Sequence, residues 1–184
     1  MNFLILGLPR SRTAWLSNFF TYDTCFCFHE PLLNIGTLKE LPQKLAAVNQ
    51  SIIGGADTGA MYFVDTLVQM FPGLKLIVID RDDDDCQQSL SAMGVQGDIA
   101  AMRQQLNWVI EQHNPWVIPF AELDSLDILS HLWAYCVGSA FPVQRWHMLK
   151  DMIVQIDSQR FFHSINEQAI RRIAKEATVW PGAQ

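Results

Sequence analysis

Long hydrophobic runs are missing from this sequence. No apolar stretch approaches the roughly 18 residues that a membrane-spanning helix needs. The apolar stretch at residues 3–8 is too short for the core of a secretory signal peptide, and no basic segment precedes it. We therefore expect a cytoplasmic protein that does not interact with membranes.

Cysteine is sparse, and its spacing fits no metal-binding or redox motif. Cys25 and Cys27 are separated by a single residue, whereas zinc knuckles and dithiol redox pairs have two residues between their cysteines. Most of the histidines also lack ligand spacing with cysteines or carboxylates, namely His113, His131, His147 and His163. We expect free buried thiols at Cys25, Cys27, Cys86 and Cys136, and no bound metal.

An excess of positive charge is missing as well. The chain has 13 lysines and arginines against 19 aspartates and glutamates, so its formal net charge is -6 at pH 7. That balance argues against a general nucleic-acid-binding protein, because such proteins use broad positive surfaces. An anionic ligand would have to find a local cluster of positive charge.

What is present predicts an α/β fold in a single domain of residues 1–184. Hydrophobic residues make up 49% of the chain, enough for a substantial core. Five continuous apolar runs are typical of buried parallel strands, at residues 3–6, 24–28, 51–53, 75–79 and 116–118. Helical patterns occupy residues 13–20, 38–48, 60–70, 84–113 (with a break near Gly94 or Gly97), 123–137, 142–153 and 164–177. Strands that alternate with helices predict a parallel sheet of about five strands flanked by helices.

The loop at residues 7–13 has the character of an anion-binding turn. It joins the first predicted strand to a helix, and backbone N–H groups at a helix N-terminus favour anions. Arg10 and Arg12 add side chains that can bind an oxyanion bidentately. The standard nucleotide loop would need Gly, Lys and Ser or Thr where this chain has Arg12, Thr13 and Ala14. An ordinary strand–turn–helix with two solvated arginines is the alternative interpretation.

Two segments resemble the donor-binding motifs of the sulfotransferase family. Residues 9–15 are similar to the family's phosphosulfate loop at Pro9, Arg10, Ser11, Thr13 and Trp15, and differ at Arg12, where the family has glycine. Residues 74–80 resemble the strand that ends, in the family, in an arginine followed eight residues later by a serine; here these are Arg81 and Ser89. The loops that follow parallel strands share one sheet edge, so the two segments should meet there.

The resemblance implies a three-layer fold of the P-loop nucleotide hydrolase type and a sulfuryl-transferring enzyme. Its donor would be 3′-phosphoadenosine 5′-phosphosulfate, and its partner a small acceptor with a hydroxyl or amine. The 5′-phosphosulfate would be held by Pro9, Arg10, Ser11, Arg12, Thr13 and Ala14, with Arg10 also stabilising the leaving oxygen. Arg81 and Ser89 would hold the 3′-phosphate.

A third segment, residues 29–31, resembles a His-Glu-Pro segment of related bacterial sequences and provides a candidate catalytic base. Histidine is the usual general base near neutral pH, which makes His29 a candidate, and Glu30 could serve as the base or orient the histidine. Alternatively, His29 caps the sheet edge and Glu30 pairs with Arg10 or Arg12. Asp57, after the third strand, is a further residue expected near the acceptor.

Several features depart from the family. Four consecutive carboxylates, residues 82–85, follow Arg81; they form either a solvated helix start or, with Asp80 or Asp82 as ligand, a Mg²⁺ site of a nucleotide phosphotransferase. The family's basic, glycine-rich loop near the C-terminus is missing, although that region contains Arg160, Arg171, Arg172 and Lys175. A non-catalytic descendant that binds an anion or a protein partner is therefore a third hypothesis.

Overall fold

A five-stranded parallel sheet forms the centre of the fold in the computed structural model, which describes residues 1–151. In chain order the strands are β1 (Phe3–Gly7), β2 (Cys25–His29), β3 (Ile52–Ala56), β4 (Lys75–Asp80) and β5 (Trp116–Pro119). They lie in the order β2-β3-β1-β4-β5, and every neighbouring pair is parallel. The predicted α/β fold class is confirmed, and each strand begins within one residue of its predicted start.

The helices that flank the sheet also follow the predicted order. They are α1 (Thr13–Phe20), α2 (Leu41–Ala46), α3 (Val64–Met70), α4 (Asp83–Ser91), α5 (Ile99–His113), α6 (Leu126–Val137) and α7 (Val143–Leu149). Short 3₁₀ helices occupy Leu38–Glu40, Gly59–Phe63 and Phe120–Asp124. The predicted break between α4 and α5 is confirmed, with Gly94 at φ 69° between them. The predicted helix at 164–177 and the basic residues Arg160, Arg171, Arg172 and Lys175 lie outside the described residues.

β3 extends further than its sequence predicted. The predicted strand covers residues 51–53, yet pairing continues through Gly54 and Gly55 to Ala56, although glycines weaken strands. The reason is a close approach of neighbouring side chains: a Cβ atom at Gly54 would overlap the Phe3 ring, and one at Gly55 would lie 2.9 Å from Pro31 Cγ. Only glycine leaves room for these side chains against the strand.

The strand order places a topological switch point between β1 and β4. The chain leaves β1 toward β2 on one side of the sheet, and it leaves β4 toward β5 on the other side. Ligands of open α/β sheets bind outside the carboxyl ends of the strands where the connections diverge in this way. The loops that follow β1 and β4 therefore flank the crevice in which a ligand is expected.

An aromatic cluster fixes α1 against the sheet and α6. The Phe20 ring packs against Phe3 at 4.9 Å and stacks on Trp133 at 5.5 Å between ring centroids. The Trp15 indole N–H donates to the carbonyl oxygen of Leu149 at 2.8 Å. Such aromatic pairs each contribute about 0.5–1.5 kcal/mol beyond the area they bury. This packing fixes the helix whose N-terminus faces the switch point.

All four cysteines are free and buried, as the sequence predicted. Within residues 1–151, the structure contains no helix of the length and apolar character needed to span a membrane.

Candidate anion-binding site

The turn after β1 has an unusual backbone. Arg10 and Arg12 both adopt left-handed conformations, with φ of 73° and 60°. The turn folds back tightly onto the end of the strand, because a Cβ atom at Gly7 would lie 3.0 Å from both Ile79 O and Ser11 Cβ. Arg12, at which the chain departs from the sulfotransferase loop that it resembles, adopts a conformation that glycine reaches at no steric cost.

The N-terminus of α1 has no side-chain cap among residues 1–151. Its first helical hydrogen bond runs from the N–H of Leu16 to the carbonyl of Arg12 at 2.9 Å. The backbone N–H groups of Thr13 and Ala14 precede that bond and have no acceptor in the described part of the chain. A left-handed residue followed by a right-handed one forms a concave nest of N–H groups that attracts anions. The helix dipole adds to that attraction.

The structure brings the two predicted donor-binding segments together. The Arg81 guanidinium donates through Nη1 to the carbonyl oxygen of Arg10 at 2.5 Å. The Arg10 side chain in turn donates through Nε to Ser89 Oγ at 2.9 Å. Residues that are 71 and 79 positions apart in the sequence thus share one cluster at the switch point.

Arg10 and Arg81 form a pair of positive charges that has no counterion in the part of the chain that the structure describes. Burial, and then the charge of Arg81, lower the pKa of Arg10, although a guanidinium stays protonated at neutral pH. Neither guanidinium forms an ion pair within residues 1–151. Arg81 lies 4.4 Å from the Phe120 ring centroid, and its Nε is buried without a hydrogen-bond partner among the described residues. Two adjacent cations with unused donors are suited to bind a multiply charged anion.

Other predicted loop residues have different roles. Ser11 is fully buried, and its hydroxyl lacks a hydrogen-bond partner within residues 1–151, so only its backbone is available to a ligand. Thr13 is also buried, and its Oγ1 lies 3.4 Å from Nε2 of His29. Pro9 and Ala14 are half-buried.

The Arg12 side chain points toward the 3₁₀ helix after β5. It donates to Asp124 Oδ1 at 2.6 Å and stacks 5.5 Å from the Phe120 ring centroid. The side chains of this ion pair are 33% and 75% exposed, and exposed pairs contribute only about 0–1 kcal/mol. Arg12 can therefore exchange Asp124 for an arriving anion at little cost.

His29 lies beside the same helix N-terminus, at the carboxyl end of β2. Its Nε2 is 3.9 Å from Glu30 Oε1, and Glu30 has a left-handed backbone with φ of 51°. Glu30 thus contacts His29 and not Arg10 or Arg12.

Asp57, which the sequence places near the acceptor, stabilises the backbone of two loops. Its buried carboxylate accepts hydrogen bonds from the N–H groups of Leu32 and Ala60 at 3.1 and 3.0 Å.

The acidic run begins a helix and is partly neutralised. Asp82 caps α4 by accepting from the N–H groups of Asp84 and Asp85. Asp80 and Asp83 each accept a hydrogen bond at 2.7 Å from Arg103 on α5. This arrangement is that of a helix start, and residues 1–151 contain no group of three or more His, Cys, Asp or Glu side chains placed to hold a metal ion.

Sequence reasoning missed Arg103, Phe120 and Asp124 as members of this site. Arg103 did leave a signal, because it is the only lysine or arginine between Arg81 and Arg145 and so the nearest downstream cation for four adjacent carboxylates. Phe120 and Asp124 left no such signal, since their partners lie far away in the sequence.

Comparison with known proteins does not assign the chain to a family: no family model matches the sequence, and no curated protein matches it significantly.

Proposed function

We propose that this protein binds 3′-phosphoadenosine 5′-phosphosulfate at the switch point and transfers its sulfuryl group to a hydroxyl or amine of a small acceptor. The observation that carries the proposal is the Arg10–Arg81 pair. These arginines lie in the loops that follow β1 and β4, and within residues 1–151 they have no carboxylate partner and the adjacent N-terminus of α1 has no side-chain cap. The loop and strand motifs agree with this location.

The positions of the side chains fit a donor with two anionic ends. The nest at residues 12–14 and the Arg10 guanidinium offer N–H donors to the 5′-phosphosulfate. Arg81 Nη2, which donates no hydrogen bond within residues 1–151, and the Ser89 hydroxyl offer donors to the 3′-phosphate. A ligand with both groups would also neutralise the repulsion between the two arginines.

The transfer requires a cation at the leaving group and a base at the acceptor. The acceptor oxygen or nitrogen forms a bond to sulfur while the bond from sulfur to the bridging oxygen breaks, and its electron pair leaves with the nucleotide. Arg10 stabilises the charge that develops on that oxygen, and His29 takes the acceptor proton. The Glu30 carboxylate, 3.9 Å from His29, stabilises the imidazolium that results. The protein contributes positioning and electrostatics, as in the related phosphoryl transfers.

The alternative of a Mg²⁺-dependent phosphotransferase gains less support from the geometry. Its candidate ligand Asp80 is hydrogen-bonded to Arg103, and Asp82 is used in capping α4. A protein that binds the nucleotide without catalysis would share the site, and only turnover with an acceptor distinguishes it from the enzyme.

Calorimetric titration of the full chain with 3′-phosphoadenosine 5′-phosphate tests the binding half of the proposal. Wild-type protein should bind, and Arg81→Ala should weaken binding at least about tenfold, since charge-assisted hydrogen bonds contribute about 1.5–3 kcal/mol each. Arg145→Ala is the matched control: this arginine also donates to backbone carbonyls, those of Asn18 and Thr21, at the opposite end of α1. The control should bind like wild type.

Two outcomes contradict the proposal. The first is a wild-type chain that does not bind the nucleotide. The second is an Arg81→Ala variant that binds as tightly as Arg145→Ala. Thermal unfolding of each variant confirms that the folded state is being compared.

A further inference from the structure

We propose that Arg103 is the positioning residue of this site, because it holds the carboxylates beside Arg81 and thereby keeps the Arg81 guanidinium available to the ligand. The inference rests on the proposed function and adds a residue that neither motif contains. Arg103 lies on α5, outside both motif segments.

The Arg103 guanidinium makes three contacts at once. Its Nε donates to Asp83 Oδ1 and its Nη1 to Asp80 Oδ1, both at 2.7 Å. Its Nη2 donates to the carbonyl oxygen of Arg81 at 2.5 Å. These acceptors belong to the end of β4, the residue after it and the first residue of α4. A planar fork with five N–H donors can satisfy such a set, whereas the ammonium of lysine is a point charge.

Asp80 and Asp83 lie so close to Arg81 in the chain that they would compete for its guanidinium if Arg103 did not bind them. Asp80 and Asp83 lie one and two positions from Arg81 in the chain, and Asp82 is already used in capping α4. Without Arg103, the closest cation to Asp80 and Asp83 along the chain would be Arg81 itself. An ion pair between Arg81 and either aspartate would compete with the bond from Arg81 to the Arg10 carbonyl and with any anion.

The electrostatic surroundings of Arg103 also indicate that it neutralises Asp80 and Asp83. Burial lowers the pKa of Arg103, but the hydrogen bonds and charges of Asp80 and Asp83 raise it by more than burial lowers it. The pKa of Arg103 is therefore above its ordinary value. The side chain is 20% exposed, which limits screening by solvent. Arg103 is therefore the counterion of Asp80 and Asp83, whereas Arg10 and Arg81 have no carboxylate partner among residues 1–151.

A purely structural role is the competing explanation, since Arg103 also connects α5 to β4 and α4. The two roles predict different responses to removal of the carboxylates. If Arg103 only connects these elements, the nucleotide binding lost with it is not restored by neutralising Asp80 and Asp83. If Arg103 neutralises the two carboxylates, replacing both with Asn restores nucleotide binding in its absence.

The experiment measures binding of 3′-phosphoadenosine 5′-phosphate by calorimetry at low ionic strength, using the full chain. Arg103→Met should weaken binding about tenfold, because it exposes two carboxylates beside Arg81. The triple variant Arg103→Met, Asp80→Asn, Asp83→Asn should recover affinity to within about threefold of wild type. The denaturation midpoint of each variant is measured in parallel.

Each outcome has a defined meaning. The role of Arg103 is overturned, and the proposed function is not, if the wild-type chain binds and Arg103→Met binds equally well. The same holds if Arg103→Met binds more weakly and the triple variant does not restore the affinity. A wild-type chain that does not bind overturns the proposed function itself. If Arg103→Met does not fold, Arg103→Lys replaces it, because a single ammonium cannot hold both carboxylates. Weaker binding that Asp80→Asn with Asp83→Asn restores in the Lys variant supports the inference, and unchanged binding, or a loss that is not restored, overturns it.

Discussion

Backbone strain coincides with the candidate site at the level of single residues. Among residues 1–151, six non-glycine residues have positive φ, and three of them are Asn or Asp, which tolerate this conformation. The other three are Arg10, Arg12 and Glu30, whose side chains have no such tolerance. Strained conformations persist where the surrounding structure enforces them, and they cluster at binding sites.

The strain at Arg12 is measurable by replacing it with two small residues. Arg12→Gly and Arg12→Ala both remove the Asp124 ion pair and the stacking on Phe120, and they differ only in the Cβ atom. Because φ is 60°, the Gly variant should be more stable than the Ala variant by about 1 kcal/mol in urea denaturation. An Ala variant of equal or greater stability would show that the left-handed conformation is not maintained.

His29 should act in catalysis and not in donor binding. With 3′-phosphoadenosine 5′-phosphosulfate and the most reactive member of a panel of phenols, alcohols and amines, His29→Gln should lower kcat about 10²–10⁴-fold. Glu30→Gln should have a smaller effect, because Glu30 acts through His29. Nucleotide affinity should stay within about threefold of wild type in both variants.

His131→Gln is the control, since this exposed histidine on α6 pairs only with Asp127 in the described residues. Loss of donor binding in His29→Gln, or full activity in that variant, would contradict the assignment.

The part of the site that the sequence predicts consists of residues within two continuous segments. The resemblance to the sulfotransferase motifs predicts Arg10, Arg81 and Ser89, because each motif is a continuous segment, and the structure brings these residues together. The partners of these residues were not predictable, because Phe120 and Arg103 are selected by packing between distant elements. The inward orientation of Ser11 also depends on that packing.

At the level of elements, local sequence patterns account for where strands and helices begin, and tertiary packing accounts for where some of them end. All five strands start within one residue of the start of their apolar runs. β3 continues through two glycines because its neighbours fill the space that side chains would occupy. The predicted helix at 60–70 begins as a 3₁₀ helix, Gly59–Phe63, which the N–H of Ala60 anchors to the Asp57 carboxylate.

Gly54→Ala tests this account of β3. The new Cβ atom would overlap the Phe3 ring, which packs on Phe20, so the ring must move and the core must repack. We expect a loss of about 1–3 kcal/mol in the free energy of unfolding, measured in urea. Gly59→Ala is the control, because its Cβ atom would meet only Asp57 Oδ1 at an ordinary 3.4 Å. Equal stability of the two variants would contradict the close approach of Phe3.

At the level of the whole molecule, the sequence predicts the fold class but not the strand order. Alternation of strands and helices specifies a parallel sheet, whereas the order β2-β3-β1-β4-β5 follows from contacts between distant segments. That order matters for function, because it makes β1 and β4 neighbours with diverging connections. The loops that carry Arg10 and Arg81 meet for this reason.

The buried thiols should make the stability of the fold sensitive to alkaline pH. Burial raises the pKa of Cys25 to about 12, and burial also raises the pKa of Cys136. In the unfolded chain the Cys25 thiol would ionise near its ordinary value of 9.0. The unfolded state then releases protons first, so this contribution to stability is complete below pH 9 and is lost progressively as pH rises toward 12.

Urea denaturation across this range measures the effect. The wild-type free energy of unfolding should fall by up to about 1.4 kcal/mol per pH unit for each such thiol. The free energy of unfolding of Cys25→Ala should fall less steeply with pH. Lysines and tyrosines also titrate in this range, but they contribute equally to the pH dependence of both proteins. Identical slopes would contradict the burial of this thiol.

The most direct test of the central claim compares two nucleotides on the wild-type chain. Calorimetric titration with 3′-phosphoadenosine 5′-phosphate and, in parallel, with adenosine 5′-monophosphate isolates the contribution of the 3′-phosphate. If Arg10 and Arg81 form a site for both ends of the donor, the bisphosphate should bind at least about tenfold more tightly. Equal affinity for the two nucleotides, or no binding of either, would contradict the account.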